Sequence, residues 1–416
     1  MHTDTRSGEP RSLIIAAASA RALAASAVNA GYRVFCADCF GDHDLRMLLS
    51  QGGGSFLGTF AEFSDLPKLL DSVPAGIPLL WAGGFENQLP SLTEIARHRS
   101  LLGLPLDVVH RLRQPELLAS LFAPSRSPQV HFPESVFKSL PPAGRWLWKS
   151  RLSSGGLGVQ RWTDDLRQQW AGTPTQPDGC FQQEVDGLPC SILVAIDRGL
   201  ANIIGLSLQF SGWPELNAGE FRFCGNLGPL NLPPRLAAAL GNALQRLLEH
   251  IEIRRGIFGV DLLLTPHQCW LLEINPRIPA SHWIYETPDH WNAVRFAAGE
   301  PCSELCHPPR PPLRTQLILW SHSPLQFPGP EESSLPAANG LQIADCPAPD
   351  TRVSAGTPIC SILVEHTPNA APENLLATLR QFPEPLARQL QFQPHATADA
   401  MQRHLQQWGA LAVAWS

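Results

Sequence analysis

The sequence predicts an α/β protein built from more than one sheet, and three stretches carry that prediction. The first is a strand, helix, strand unit: an apolar run at 13–18, helix-forming residues at 19–30 closed by Gly31, and a second apolar run at 32–36. The second is Arg145-Trp-Leu-Trp-Lys149, an aromatic strand pattern that runs into Ser153-Ser154-Gly155-Gly156-Leu157-Gly158. The third is 255–286, where the short apolar runs 257–264 and 269–274 flank Thr265-Pro266-His267-Gln268. A turn-forming cluster between two such runs reads as a pair of neighbouring antiparallel strands.

Size and composition bound what these elements serve. At 416 residues the chain has room for two or three domains. A hydrophobic content of 44% with 16% charged residues is ordinary for a globular protein. The net charge of −6 gives no general attraction to nucleic acid or membrane, so any bound polyanion must meet local positive charge. No apolar run approaches the length of about 18 residues expected of a membrane-spanning helix. Residues 1–10 are polar and include acids, unlike a signal peptide, and the ten cysteines show no disulfide-framework spacing, so a reducing cytoplasm is expected. Cys36-Ala-Asp-Cys39 has no second pair at zinc-ligand distance and reads as packing at a strand end. Of the 31 basic residues only Lys68, Lys138 and Lys149 are lysine, so the ammonium kept at Lys149 calls for a reason.

The opening unit is of Rossmann type, but Ala16-Ala17-Ala18-Ser19 stands where G-x-G-x-x-G would bind a dinucleotide, so no such site is read there. After Gly52-Gly53-Gly54, residues 79–86 form a strand running into a glycine turn. Ligands of open α/β sheets bind beyond the carboxyl ends of the strands. Gly83, Gly84 and Glu86 therefore either face a substrate or make a tight turn. A helical piece at 115–121 and an extended piece at 130–132 follow, and Arg113 reads as a phosphate contact or a solvated side chain.

The chemistry concentrates further on. Asp261 interrupts one strand of the pair and Glu273 the other, with Asn275, Pro276 and Arg277 directly after. A carboxylate on a buried strand must be paired or metal-bound. Mg2+ takes a few carboxylate oxygens and leaves its other positions to water and phosphate. Two acids on paired strands thus read as a Mg-nucleotide site with an arginine beside it. Upstream, the glycines of 153–158 let backbone N–H groups close over phosphate oxygens while Lys149 supplies a point charge. Between the two lie a connection at 172–179, strands at 191–196 and 203–210, and an amphipathic helix at 233–253 that serves as scaffold. Beyond them come a Pro-rich stretch at 301–336 with one strand at 315–320, a β-hairpin at 345–364, and helices at 372–381, 385–390 and 397–408, the last stopped by Gly409.

Asp261 followed by Glu273-Ile274-Asn275-Pro276-Arg277, with Lys149 and the glycine loop before it, resembles the ATP-grasp superfamily, the ligases typified by biotin carboxylase and glycinamide ribonucleotide synthetase. The turn Gly83-Gly84-Phe85-Glu86 resembles that of a predicted ATP-dependent carboligase group related to biotin carboxylase. The resemblance implies a Rossmann-like preATP-grasp domain over 1–112, a two-lobed ATP-grasp domain over 113–310, and a small C-terminal β element with helices over 311–416. It implies ATP with Mg2+, or Mn2+ in its place, with Asp261, Glu273 and Asn275 as metal ligands and Arg277 and Lys149 as catalytic groups. Lys149, Ser153, Ser154, Gly155, Gly156 and Gly158 would meet the phosphates. Gln182, Gln183, Glu184 and Val185 would form the hinge that meets adenine, with the ribose acid ambiguous between Glu184 and Asp186. Arg222 is a candidate for a substrate carboxylate or a strand-edge arginine. Ser281 stands where biotin carboxylase has a glutamate base, and no biotin-attachment Met-Lys-Met is present, which disfavours bicarbonate activation of that kind. His282 reads as a base for an incoming amine or as a packed side chain beside Trp283. The activity implied is ATP-dependent carboxylate–amine ligation through an acyl phosphate. A carboxylase or kinase-like activator, and a nucleotide-binding regulator without turnover, are the alternatives. The implied partners are a small carboxylate, an amine and a second copy of the chain, with no nucleic acid and no membrane.

Overall fold

A computed structural model describes residues 11–123, 129–170, 178–287, 290–300, 311–328, 340–366 and 371–416. Residues 172–177 of the predicted connection and 301–310 and 329–336 of the Pro-rich stretch lie outside them, while the strand predicted at 315–320 is Arg314–Trp320.

The first sheet is parallel, with strands in the order Ser55–Thr59, Arg33–Asp38, Ser12–Ala17, Leu79–Trp81 and Leu101–Leu102. The order of strand addition across the sheet reverses between the parallel neighbours Ser12–Ala17 and Leu79–Trp81, which opens a crevice beyond their carboxyl ends. The turn after Leu79–Trp81 enters that crevice. Gly84 takes φ +98°, and a Cβ there would meet the Phe63 ring at 2.5 Å, so the turn packs down only with glycine. Past the turn, Ala82 forms a parallel bridge to Ile278, tying this sheet to the segment after Arg277.

A small antiparallel sheet follows, in the order Ser135–Val136, Gly179–Gln183, Trp146–Ser150 and Val159–Arg161. Its core is aromatic: Trp146, Trp148, Trp162 and Phe181 are buried together, with Trp170 packed edge-on to Trp148 at 4.7 Å between ring centroids. Large rings let a thin sheet bury enough apolar area to stand as its own lobe.

The large sheet runs Leu341–Ala344, Pro358–Glu365, Arg314–Trp320, Phe223–Leu230, Leu200–Ser211, Leu188–Asp197, Arg255–Leu264, Cys269–Asn275 and Val130–His131. All neighbours are antiparallel except the last pair. The chain crosses between the small and large sheets twice, at 132–134 and 184–187, so these two short segments hinge the lobes. The predicted turn at 265–268 joins the paired strands, with Thr265 N donating to Gln268 O at 2.9 Å and Gln268 N to Thr265 Oγ1 at 3.0 Å.

Two expectations change. The strand Pro358–Glu365 pairs with Leu341–Ala344 and Arg314–Trp320 instead of folding back within 345–364, so the C-terminal strands extend the large sheet. Gly409 does not stop the last helix, which runs Pro394–Ala414. An interior glycine costs about 1 kcal/mol, and burial of Leu411 and Trp415, with Trp415 Nε1 donating to Thr265 O at 2.8 Å, outweighs it.

The crevice side of the first sheet also meets the C-terminal strands through charge. Arg21 pairs with Asp345 at 2.9 Å and Asp44 at 3.6 Å, and Asp44 accepts the backbone N–H groups of Asp345 and Cys346. Asp42 is buried beside them, and burial together with Asp345, Asp38 and Asp44 pushes its carboxyl up to about 8. An unfolded aspartate loses its proton near pH 4. The folded state therefore binds more protons than the unfolded one across roughly pH 4–8, and stability falls as pH rises through that window. Asp42→Asn, which keeps an equally good residue at the start of the helix His43–Gln51, is expected to stabilise by roughly 1–2 kcal/mol at pH 8. Denaturant melts from pH 5 to 8 should show a flatter slope in the variant; an unchanged slope excludes Asp42 as its source.

Candidate active site

The paired strands Arg255–Leu264 and Cys269–Asn275 place Asp261 directly opposite Glu273. The two acids share one face, half-buried at the end of the large sheet. Asn275 Nδ2 donates to Asp261 Oδ2 at 3.1 Å, two residues before Arg277. Burial and the facing Glu273 push the Asp261 carboxyl up to about 7, against hydrogen bonds from Asn275 and Gln209. Two close carboxylates with too little compensating charge form a cation site in waiting. Their oxygen-only donor set, few in number, fits Mg2+, which fills its remaining positions from water and phosphate. Among the described residues no group of three or more His, Cys, Asp and Glu is placed to hold a metal ion by itself.

Arg277 is turned away from bulk water, its side chain 13% exposed. Its Nε donates to Glu86 Oε1 at 2.8 Å, and Nη1 and Nη2 make only long contacts, 3.4 Å to Ile278 O and 3.5 Å to Asn275 Oδ1. Burial works against its charge, but Glu86, Asp261 and Glu273 together raise its pKa, so it stays a cation. Glu86 is fully buried. Burial by itself would raise its carboxyl, and Arg277 outweighs this and holds it below the usual carboxylate range.

The glycine loop reaches the same carboxylate. Ser154 Oγ donates to Glu86 Oε1 at 3.0 Å and accepts from Asn87 Nδ2 at 2.9 Å. Arg113 Nη2 donates to Asn87 Oδ1 at 2.8 Å and to the carbonyls of Arg151 at 2.7 Å and Ser153 at 3.1 Å. Arg113 is thus a clamp on the loop, neither a helix-start phosphate contact nor a solvated side chain. On its other side the loop packs on the large sheet, where Phe223 N donates to Gly155 O at 3.0 Å. Gly156 holds φ +78°, and a Cβ there would lie 1.9 Å from Phe221 O, so the close approach demands glycine. Ser153 Oγ donates to Ser150 O at 3.2 Å, and Gly158 accepts from Ser150 N at 2.9 Å, closing the loop's base.

Lys149 lies on the central strand of the small sheet, opposite Cys180, with Nζ donating to Gln182 Oε1 at 3.1 Å. Gln182 is buried. Gln183 N donates to Glu134 O, so the two hinge segments lie side by side, and Val185 follows in the crossing. Glu184 pairs with Arg161, which also holds Glu220 at 2.6 Å, while Asp186 pairs with Arg145 at 2.7 Å on the surface. Glu184, largely buried, faces the lobe interior and Asp186 faces solvent.

Three expected substrate residues are engaged or buried within the protein, and the backbone of Arg222 lies against the glycine loop. Arg222 donates to Gly356 O at 2.6 Å, with its guanidinium 4.9 Å from the centre of the Trp320 ring. Ser281 and His282 are 3% and 2% exposed in the turn Ala280–Tyr285, and His282 Nδ1 donates to Pro279 O at 3.0 Å, which is the packed alternative. Sequence reasoning missed Asn87 and Gln209 as parts of the site and named Arg113 for other roles. Only the Gly-Gly-Phe-Glu turn carried a signal, through Glu86.

Two lobes joined by a hinge, a glycine-loop lobe beside a sheet bearing paired acids, define the architecture of the chain. Residues 125–281 match the family model of the ATP-grasp domain. Biotin carboxylase from Campylobacter jejuni, solved as a β,γ-ATP complex, is similar over 89% of this chain and 90% of that one, with a TM-score of 0.65 and 13% identity. N5-carboxyaminoimidazole ribonucleotide synthetase from Thermus thermophilus is similar over 91% and 98%, with a TM-score of 0.63 and 15% identity. L-amino acid ligase from Bacillus licheniformis is similar over 90% and 97%, with a TM-score of 0.61 and 14% identity. No curated protein matches the chain in sequence. Residues 125–281 are thus an ATP-grasp domain, in a chain with the fold that biotin carboxylase and these ligases share. No helix among the described residues is long and apolar enough to cross a membrane.

Proposed function

We propose that the chain is an ATP-dependent carboxylate–amine ligase that phosphorylates a small carboxylate and transfers the acyl group to an amine. One observation carries the reading: Glu86 Oε1 binds both the glycine loop, through Ser154, and Arg277, so that the phosphate-covering loop and the arginine meet beside the paired acids. Asp261, Glu273 and Asn275 would hold Mg2+, which would supply neutralisation of phosphate charge. Lys149 and the amides of 153–158 offset the remaining phosphate charge. Arg277, permanently cationic with its Nη edge only loosely engaged, faces the transferred phosphoryl group and then the acyl phosphate. Catalysis of this kind is positioning and electrostatics, so it needs no protein nucleophile.

Amine transfer is favoured over carboxylation because the glutamate base position of biotin carboxylase is taken here by Ser281, and Ser281 is buried. The test is ADP release by the purified protein with saturating Mg-ATP, supplied with pools of small carboxylic acids and amines. Release that needs both an acid and an amine supports ligation. Release with bicarbonate alone makes the chain a carboxylase, and Mg-ATP binding without release under any condition makes it a regulator. The domain limits at 112 and 310 belong to the same proposal.

A further inference from the structure

We propose that Glu86 is a positioning residue that couples closure of the glycine loop to the placement of Arg277. This rests on the ligase reading for its purpose but not for its geometry. Three parts of the chain far apart in sequence converge on one oxygen: Glu86 Oε1 accepts from Ser154 Oγ at 3.0 Å and from Arg277 Nε at 2.8 Å. The carboxylate is fully buried, and its other oxygen, Oε2, is buried without a hydrogen-bond partner. A buried carboxylate with so few donors depends on each of them, because a charge left short of donors inside a protein is costly. Losing Ser154 when the loop lifts would leave Arg277 as the only side chain donating to Glu86, and so shift the balance of forces on the guanidinium.

The loop side of this joint is braced and the arginine side is not. Asn87 and Arg113 grip the loop by three hydrogen bonds, Asn87 to Ser154 and Arg113 to the carbonyls of Arg151 and Ser153, and Arg113 also donates to Asn87. Arg277, in contrast, has one normal side-chain bond, to Glu86, and two long ones. Its orientation is therefore set by Glu86. The Ala82–Ile278 bridge holds the backbone on both sides of the contact, so a change at Glu86 reaches the 277–278 segment directly. When the loop closes over phosphate, Ser154 completes the set on Glu86 and Glu86 holds Nε. The two Nη groups are then presented toward the reacting phosphoryl. No proton needs to move, since Glu86 stays ionised and Arg277 stays cationic.

The experiment is amide hydrogen exchange on the full chain, read in peptides covering 151–158 and 274–282, with and without Mg-ATP. Wild type is compared with Ser154→Ala, Glu86→Gln and the double variant, each first shown to be folded by its melt. Without nucleotide, Ser154→Ala is expected to speed exchange at 274–282 severalfold in the wild-type background and to add nothing to Glu86→Gln. With Mg-ATP, wild type is expected to slow exchange in both peptides, and Glu86→Gln in 151–158 alone. In turnover, Glu86→Gln should lower kcat about tenfold or more while nucleotide Kd changes less than about threefold, a split that simple unfolding would not produce. Unchanged exchange at 274–282 in Ser154→Ala, or additive effects in the double variant, overturns the coupling. Mg-ATP that protects neither peptide in wild type instead overturns the nucleotide reading, and the comparison without nucleotide still decides the role of Glu86.

Discussion

Glu273→Gln is expected to lower the rate of ADP release by at least about 10³-fold, a loss of roughly 4 kcal/mol of transition-state stabilisation, while making the protein without metal more stable. Both outcomes come from one contact. Glu273 faces Asp261 across paired strands, and the two negative charges are the reason, after burial, that Asp261 is pushed up to about 7. An acid whose folded pKa is raised subtracts stability as pH rises above its unfolded value. Removing the facing charge brings Asp261 back toward its ordinary range, so the variant should gain stability above about pH 5. The carboxylate that would hold Mg2+ is gone at the same time, and a neutral amide is a weak substitute. Activity falls as stability rises, as expected where a site stores unfavourable charge for a ligand. Parallel ADP-release assays and denaturant melts at pH 7.5 check this. A variant that keeps full activity would remove Glu273 from the metal site.

The second large effect concerns Lys149. Mg-ATP at about 100 times its Kd is expected to stabilise wild type by about 2.7 kcal/mol in a thermal or denaturant melt, and Lys149→Ala should abolish most of that gain. In the protein as folded, Nζ is held by a single hydrogen bond to Gln182, on the central strand of the small sheet next to the glycine loop. One neutral acceptor leaves two ammonium donors for phosphate oxygens. The variant removes no ion pair of the folded protein, so its own melt should stay close to wild type. A Mg-ATP shift that survives in Lys149→Ala would mean that the loop amides alone bind the phosphates.

The acid pair and the lysine were legible in the chain because each breaks a local rule. Asp261 and Glu273 occupy strand positions where burial calls for apolar residues, and Lys149 ends an aromatic strand in a chain that otherwise chooses arginine. The turn at 265–268 was legible for the same reason, since its residues favour reversal regardless of what surrounds them. Gly409 was misleading because helix propensity is a small local term. Burial of Trp415 against the turn at Thr265, 150 residues away in the chain, exceeds it.

Glu86 marks the boundary between the two kinds of information. The Gly-Gly-Phe-Glu turn is visible as a strand end with a glycine at positive φ, but whether the acid faces substrate or protein depends on which chain segment arrives opposite it. Arg277 and Ser154 arrive there, 191 and 68 residues away in sequence, and with Asn87 and Arg113 they make a turn into a joint. The clamp role of Arg113 had no local signal, because a clamp on two backbone carbonyls is defined only by where those carbonyls lie. By itself the sequence determined the elements, the paired acids, the loop and the superfamily they resemble, since strand patterning, turn chemistry and charge on a buried strand are near-neighbour properties. The tertiary structure decided which side chains share a carboxylate, which strands extend the large sheet, and which arginine pairs with Glu86. Those outcomes depend on the packing of segments that the chain order leaves far apart.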